Sequence, residues 1–273
     1  MIEMRDIIVP NDNVIYIYDE LWKCNMIMEK ELLPQDCIVE GNKVICNKSI
    51  LLDFKDIYLG EKILIRAFEQ AGLLSGKFNE LECTEEALYN VVILLDSIYH
   101  TRLSNPYRFA MKLYKYLGQE NCCFWKVNEK SDKEDIVKVI DDITKLDKEK
   151  DKIKSSGKNE YAYSFATKFC NHVFPELFPI YDSYVAGMLI WYRENKKYFN
   201  KLDEECFDFD NSSLGKYERF LEIYKTFRSL LKINTEITYA QMDHFLWTYA
   251  KIIEAYRNIA FPKPNSISYC KLP

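Results

Sequence analysis

The sequence predicts a mostly α-helical protein with a small N-terminal β element. Three observations carry that expectation. After Gly60 apolar residues recur at helical spacing through most of the chain. Helix-start residues stand at the heads of these segments, notably Thr84, Pro106, Asp182 and Thr238. Before residue 58 the pattern differs: Val14, Tyr16 and Tyr18 alternate with other residues in the period of a strand.

Each element follows from its local chemistry. CIVEGNKVIC (37–46) reads as a hairpin, with Cys37 and Val39 facing Val44 and Cys46 across a Gly41-Asn42 turn. Ile63, Ile65, Ala67 and Phe68 start a helix that stops at Gly72. Thr84 caps a helix with acids in its first turn, running to about Tyr99. Pro106 opens another, ending near Gly118. Residues 130–158 hold nine lysines and eight acids, while Ile136, Ile140, Ile143 and Leu146 share one face; this is a surface helix with a solvated outer side. Ser155-Ser156-Gly157 breaks it and marks an exposed loop whose lysines suit phosphate.

Residues 160–173 form a short apolar helix, and Pro175 and Pro179 frame the turn that follows. Asp182 opens a helix over roughly 183–197, and the acidic stretch 203–213 is a loop. Helices follow at about 214–232 and 239–259, and Pro262 and Pro264 end the helical run. The expected organisation is a β-rich element over 1–60 and a helical domain over 61–273, with one compact unit as the alternative.

Composition narrows the function classes. The 273 residues are 48% hydrophobic with only 8 Gly and 8 Pro, enough to bury a large core. Twenty tyrosines serve a core first and base stacking second. The N-terminus lacks a basic-then-apolar signal pattern, and no apolar run approaches the ~18 residues of a membrane span, so no membrane partner is expected. Nine cysteines without a CxxC point to free thiols in a reducing cytoplasm. The net charge of −5 is no general nucleic-acid footprint, although a local basic stripe is enough for phosphate contacts.

The most informative window is Tyr161–Tyr192. Its 32 residues carry only three formal charges, Lys168, Glu176 and Asp182, where the overall 29% would give about nine. Lysine and aspartate are rarely buried unless paired. Lys168 lies mid-helix, with Phe165, Phe169 and His172 within one turn, and Asp182 stands at an N-cap position. Such an aspartate is also an ordinary cap, and such a lysine also a structural ion pair or a snorkelling side chain. The chemical reading uses the same two groups: a desolvated lysine supplies a neutral amine nucleophile, and a carboxylate stabilises an oxocarbenium-like transition state.

Other motifs are weaker. Cys170 and His172 form C-x-H, but the three histidines are dispersed at 100, 172 and 244, so neither a metal site nor a cofactor is expected. There is no Walker loop and no GxGxxG. Tyr99-His100-Thr101-Arg102 offers polar groups to a cleft, and Asp243 and Trp247 share a helix face.

SFATKFCNHVFPELFPIYDSYV resembles the catalytic segment of the helix-hairpin-helix DNA glycosylase superfamily, in particular bacterial proteins of the 8-oxoguanine DNA glycosylase fold. LDSIYHTRLSNPYRFA (95–110) and MDHFLWTYAK (242–251) extend the likeness over roughly 85–255. The resemblance implies a helix-hairpin-helix glycosylase-like helical core. It implies action on the N-glycosidic bond of a base in DNA or a nucleotide, with lyase activity through a Schiff base on Lys168. Asp182 would match the family's aspartate, with Tyr163, Phe165, His172 and Trp191 lining the substrate. Where the superfamily has a glycine-rich hairpin, this chain has Tyr161-Ala162-Tyr163-Ser164. That departure and the acidic balance favour the alternative, a non-catalytic nucleic-acid- or protein-binding module on the same fold, with phage defence as a setting. The sequence gives no oligomeric state.

Overall fold

The computed structural model describes residues 14–19, 24–29, 37–40, 43–46, 49–79, 83–147, 160–194, 207–230, 238–244, 246, 247 and 250, with side chains from residue 59 onward except at 160, 161 and 230. The stretch 148–159, which holds the expected Ser-Ser-Gly loop, and the C-terminal prolines lie outside these residues. The described chain is mostly helical. It divides into two compact units, one of residues 60–181 and one of 1–59 with 182–273.

The unit of 60–181 is built from α1 (Phe54–Gln70, entering the unit at Gly60), α2 (Glu85–Tyr99), α3 (Pro106–Leu117), α4 (Lys133–Lys145) and α5 (Glu160–Val173). Caps set three of the helix starts. Thr84 Oγ1 accepts from Ala87 N at 3.1 Å, Asn105 Oδ1 from Arg108 N at 2.9 Å, and Asp132 Oδ1 from Asp135 N at 2.9 Å. α4 buries Ile136, Val139, Ile140 and Ile143, and turns its charged residues outward. α5 packs on both α2 and α4, and α2 on α3. The core between them is aromatic: Phe68, Phe109, Phe124, Phe165 and Phe169 are all buried.

α1 begins nine residues earlier than Ile63, where apolar spacing places its start. Gly60 lies inside the helix rather than before it. A Cβ at that position would meet the Ile98 side chain of α2 at 3.7 Å, an ordinary van der Waals distance, so the close packing there does not require glycine. α2 ends in a tight turn: His100 (φ 51) and Arg102 (φ 56) are left-handed, and Asp96 Oδ1 accepts from Thr101 Oγ1 at 2.5 Å and from Leu103 N at 3.1 Å. That carboxylate fixes the end of α2 that carries Tyr99.

The other unit contains two antiparallel backbone ladders, β1 (Val14–Asp19) with β2 (Cys24–Glu29), and β3 (Cys37–Glu40), β4 (Lys43–Cys46) and β5 (Ser49–Asp53) in that order. Cys37 stands opposite Cys46 and Val39 opposite Val44. Its helices are α6 (Ser183–Glu194), α7 (Tyr217–Leu230) and a helical stretch from 239. The last is opened by a reciprocal capping box: Thr238 Oγ1 accepts from Gln241 N at 3.0 Å, and Gln241 Oε1 from Thr238 N at 2.9 Å. Tyr224 Oη donates to the buried Asp243 at 2.5 Å, and burial with that carboxylate beside it pushes the phenol pKa well above its ordinary value. Trp247 meets Tyr184 edge-on at 6.1 Å.

Candidate functional site

α5 explains why a lysine ends up in the interior. Ala162, Phe165, Ala166, Phe169 and Cys170 are wholly buried around it, so the helix is covered on more than one face and Lys168 has little room to snorkel. Its side chain is 2% exposed. Nζ donates to Ser164 Oγ at 2.7 Å, one turn back, and stands 5.3 Å from the centre of the Tyr99 ring on α2. A cation over an aromatic face is attracted by the ring quadrupole.

One turn further along α5, His172 continues the polar cluster. Its Nε2 lies 3.2 Å from Tyr99 Oη and 3.9 Å from Glu61 Oε2, and its ring packs 5.1 Å from Phe68. Tyr99 Oη also hydrogen-bonds Glu61 Oε1. Glu61 is 7% exposed, and its Oε2 has no hydrogen-bond partner among the described residues. Burial holds the His172 pKa below the ordinary histidine value; the Glu61 carboxylate pulls it back up, and the Lys168 charge pushes it further down. Glu61, Tyr99, Ser164, Lys168 and His172 thus form one polar cluster among α1, α2 and α5, with Glu61 and Lys168 buried and the other three half-buried.

The turn after α5 is locked to that helix from the residues flanking Lys168. Thr167 Oγ1 accepts from Tyr181 N at 3.1 Å, and Asn171 Nδ2 donates to Phe178 O at 2.6 Å. The residue before Lys168 is therefore tied to the residue before Asp182. Asp182 itself belongs to the other unit, where Oδ1 accepts from Tyr184 N at 2.9 Å and Val185 N at 2.8 Å as the N-cap of α6. Trp191 lies in that unit too, buried on α6 and edge-on to Tyr192 at 5.0 Å.

Of the expected substrate-lining residues, His172 alone joins the polar cluster with Lys168. Phe165 is core, edge-on to Phe109 at 4.8 Å. Tyr163 packs tilted against Tyr181 at 4.5 Å between ring centres, and its burial pushes the phenol pKa well above the ordinary value. Glu61 is a cluster residue that no sequence motif singled out. The signal was its spacing: Glu61, Leu64, Phe68 and Ala71 follow the 3–4–3 rhythm of one helix face, and the other three are completely buried.

A separate polar node joins Tyr116 Oη to Cys123 Sγ at 3.1 Å, with Asp142 Oδ2 3.5 Å from the same sulfur. Burial is the main reason the Cys123 thiol pKa is raised, which makes it a poor thiolate nucleophile. Among the described residues no group of three or more His, Cys, Asp or Glu side chains is placed to hold a metal. Nor, among them, is any helix long and apolar enough to cross a membrane.

The chain is similar to an uncharacterised protein of Haemophilus influenzae, 37% identical over 110 residues. The match spans 40% of this chain and 44% of that relative, so less than half of the relative's length is covered. No protein-family profile matches the sequence, and no solved structure matches it significantly.

Proposed function

We propose that this chain is a DNA glycosylase-like protein on a helix-hairpin-helix type helical core, acting on the N-glycosidic bond of a base in DNA or a nucleotide. The observation that carries the reading is Lys168: an amine buried in an aromatic interior, at the position where the segment SFATKFCNHVFPELFPIYDSYV resembles the glycosylase catalytic segment. A lysine nucleophile is served by such desolvated surroundings. In the Schiff-base step the Nζ lone pair forms a bond to the sugar C1′ as the base leaves with the glycosidic electron pair and takes up a proton; the attached nitrogen then gives up one proton, its lone pair forms the C1′=N bond as the C1′–O4′ bond breaks, and O4′ takes up a proton, which leaves an iminium poised for the β-elimination of the lyase step. The resemblance assigns the carboxylate that steadies positive charge at the sugar to Asp182. A base in duplex DNA would have to be turned out of the stack to reach the amine.

The test is borohydride trapping on a panel of damaged and undamaged oligonucleotides, with free-base release assayed alongside. Wild-type protein is expected to give a covalent adduct that Lys168→Ala loses and that Asp182→Asn weakens. Neither adduct nor released base across the panel would overturn the reading.

The same burial favours a second reading, a non-catalytic module that binds nucleic acid or a protein. An amine that is 2% exposed must be uncovered before it meets a sugar carbon. On this reading Lys168 is a structural cation, and Lys168→Ala lowers the melting temperature sharply while changing no chemistry.

A further inference from the structure

α3 carries cations and no acid, alone among the described α-helices. Arg108, Lys112 and Lys115 follow one another at spacings of four and three, so they share one face. Tyr107, Met111 and Tyr114 repeat that spacing one position earlier and form a parallel stripe beside it. Phe109, Ala110, Leu113, Tyr116 and Leu117 take the buried side. Tyr107 is 59% exposed, Arg108 and Lys115 are exposed, and Met111, Lys112 and Tyr114 are half-buried. Beyond Pro106 the outer surface of the helix is thus cationic and aromatic, in a chain whose net charge is −5. Helix stability does not account for the charges. Acids fill the first turns of α2 and α4, as the helix dipole favours, whereas α3 has none there and places Arg108 where a cation is disfavoured. Packing accounts for part of them: Lys112 Nζ donates to Leu146 O at 2.6 Å, which uses one of its three ammonium donors and ties the stripe to the end of α4. Ahead of the helix, Ser104 Oγ donates to Asp147 Oδ1 at 2.8 Å and so engages the acid next to Leu146.

We propose that the outer face of α3 binds single-stranded nucleic acid, with Arg108, Lys112 and Lys115 along the phosphates and Tyr107 and Tyr114 against the bases. Cations that track a backbone beside aromatic rings that stack its bases are the chemistry of single-strand recognition. Phosphates call for charge complementarity, and α3 is where an acidic chain supplies it. Arg108 and Lys115 stand about 10 Å apart along the helix axis, the reach of about three phosphates at the spacing of a stacked strand. The aromatic stripe decides for a single strand, because paired bases keep their faces inside the stack. Tyr89 meets Tyr107 edge-on at 5.5 Å, a contact that covers at most one ring face, so Tyr107 is braced and its other face is open to a base. Phe78 braces Tyr114 in the same way at 5.6 Å. On the inward side of α3, Phe109 meets Phe165 edge-on at 4.8 Å, so the surface backs onto the helix that holds Lys168. α3 thereby gives a grip on a polymer to a chain that lacks the glycine-rich hairpin. The inference rests on the nucleic-acid reading proposed above, chooses a strand over a free nucleotide, and does not depend on the chemistry of Lys168.

The test is fluorescence anisotropy of the full chain with labelled oligothymidine, and with a duplex of the same length, over a salt series. Wild-type protein is expected to bind the single strand more tightly than the duplex, with affinity falling as salt rises. Arg108→Gln and Lys115→Gln, made singly and together, should each flatten the slope of log affinity against log salt by about 0.7. Tyr107→Ala should weaken single-strand binding about fivefold to a hundredfold and leave that slope in place. Lys138 is an exposed lysine on α4, and Lys138→Gln is the charge-matched control that should bind as wild type does. Wild-type protein that binds no oligothymidine at low salt would overturn the proposal, and that measurement needs no variant to fold. So would a duplex bound as tightly as the single strand, or a loss in Lys138→Gln equal to that in Lys115→Gln. Polyglutamate that competes as well as unlabelled oligothymidine would overturn it in favour of an acidic protein partner. Binding that depends on α3, without any adduct or base release, overturns the glycosylase reading alone. Adduct formation with binding unchanged in the double variant overturns the α3 surface alone.

Discussion

Tyr99 Oη lies 3.2 Å from His172 Nε2 and also bonds Glu61, so a single half-buried phenol joins polar groups of α1 and α5. Removing that oxygen takes a hydrogen-bond partner from buried Glu61 and half-buried His172 at once. Tyr99→Phe is therefore expected to destabilise the protein by about 1–3 kcal/mol, the usual cost of leaving buried polar groups unsatisfied. Urea unfolding of the two proteins checks it, and an unchanged midpoint would mean that the hydroxyl contributes nothing net.

His172 gives the pH dependence a definite sign. Its folded-state pKa is lowered, mainly by burial, from an ordinary value of 6.5. The folded protein thus binds fewer protons at this site than the unfolded chain, and stability rises with pH across the window between the lowered value and 6.5. The stability is fully present above that window and falls as pH drops through it. Denaturant midpoints compared between about pH 7.5 and 5.5 should fall more for wild-type protein than for His172→Gln.

Thr167 ties the turn after α5 to the helix. Thr167→Val keeps the shape but leaves Tyr181 N, now bonded at 3.1 Å, without its acceptor. A loss of about 1–3 kcal/mol is expected in thermal or urea unfolding. Hydrogen exchange at the Tyr181 amide should accelerate in the same variant.

Asp182 caps α6, and the choice of substitution separates that cap from the charge-stabilising role proposed for it. Asparagine can still accept from Tyr184 N and Val185 N, whereas alanine cannot. Asp182→Ala is expected to cost about 0.5–2 kcal/mol and Asp182→Asn much less. If the carboxylate also steadies charge at the sugar, Asp182→Asn loses activity while keeping its stability.

Much of the helical architecture was legible because its signals are local. Thr84, Pro106 and Thr238 are read within one turn of the helices they open, and the α4 stripe within four turns. α1 was harder, because Gly60 reads as a breaker when its packing partner, Ile98, is 38 positions away. The cluster divides in the same way. Lys168 and His172 stand out from their own charge-poor window. Glu61 carries only a faint signal, its place on the apolar face with Leu64, Phe68 and Ala71, because a charged residue near the expected helix start looks like an ordinary first-turn acid until that face is known. The aromatic residues expected to stack a base had the opposite difficulty: Phe165 and Trp191 have the composition of a binding surface, and the structure has them buried in the cores of their units.

The central claim is that Lys168 is the nucleophile. Borohydride trapping on an abasic or damaged-base oligonucleotide, followed by peptide mass mapping, tests it most directly. The account predicts one reduced adduct, carried by the peptide that contains Lys168 and absent from Lys168→Ala. An adduct on another residue, or one undiminished in Lys168→Ala, would contradict it.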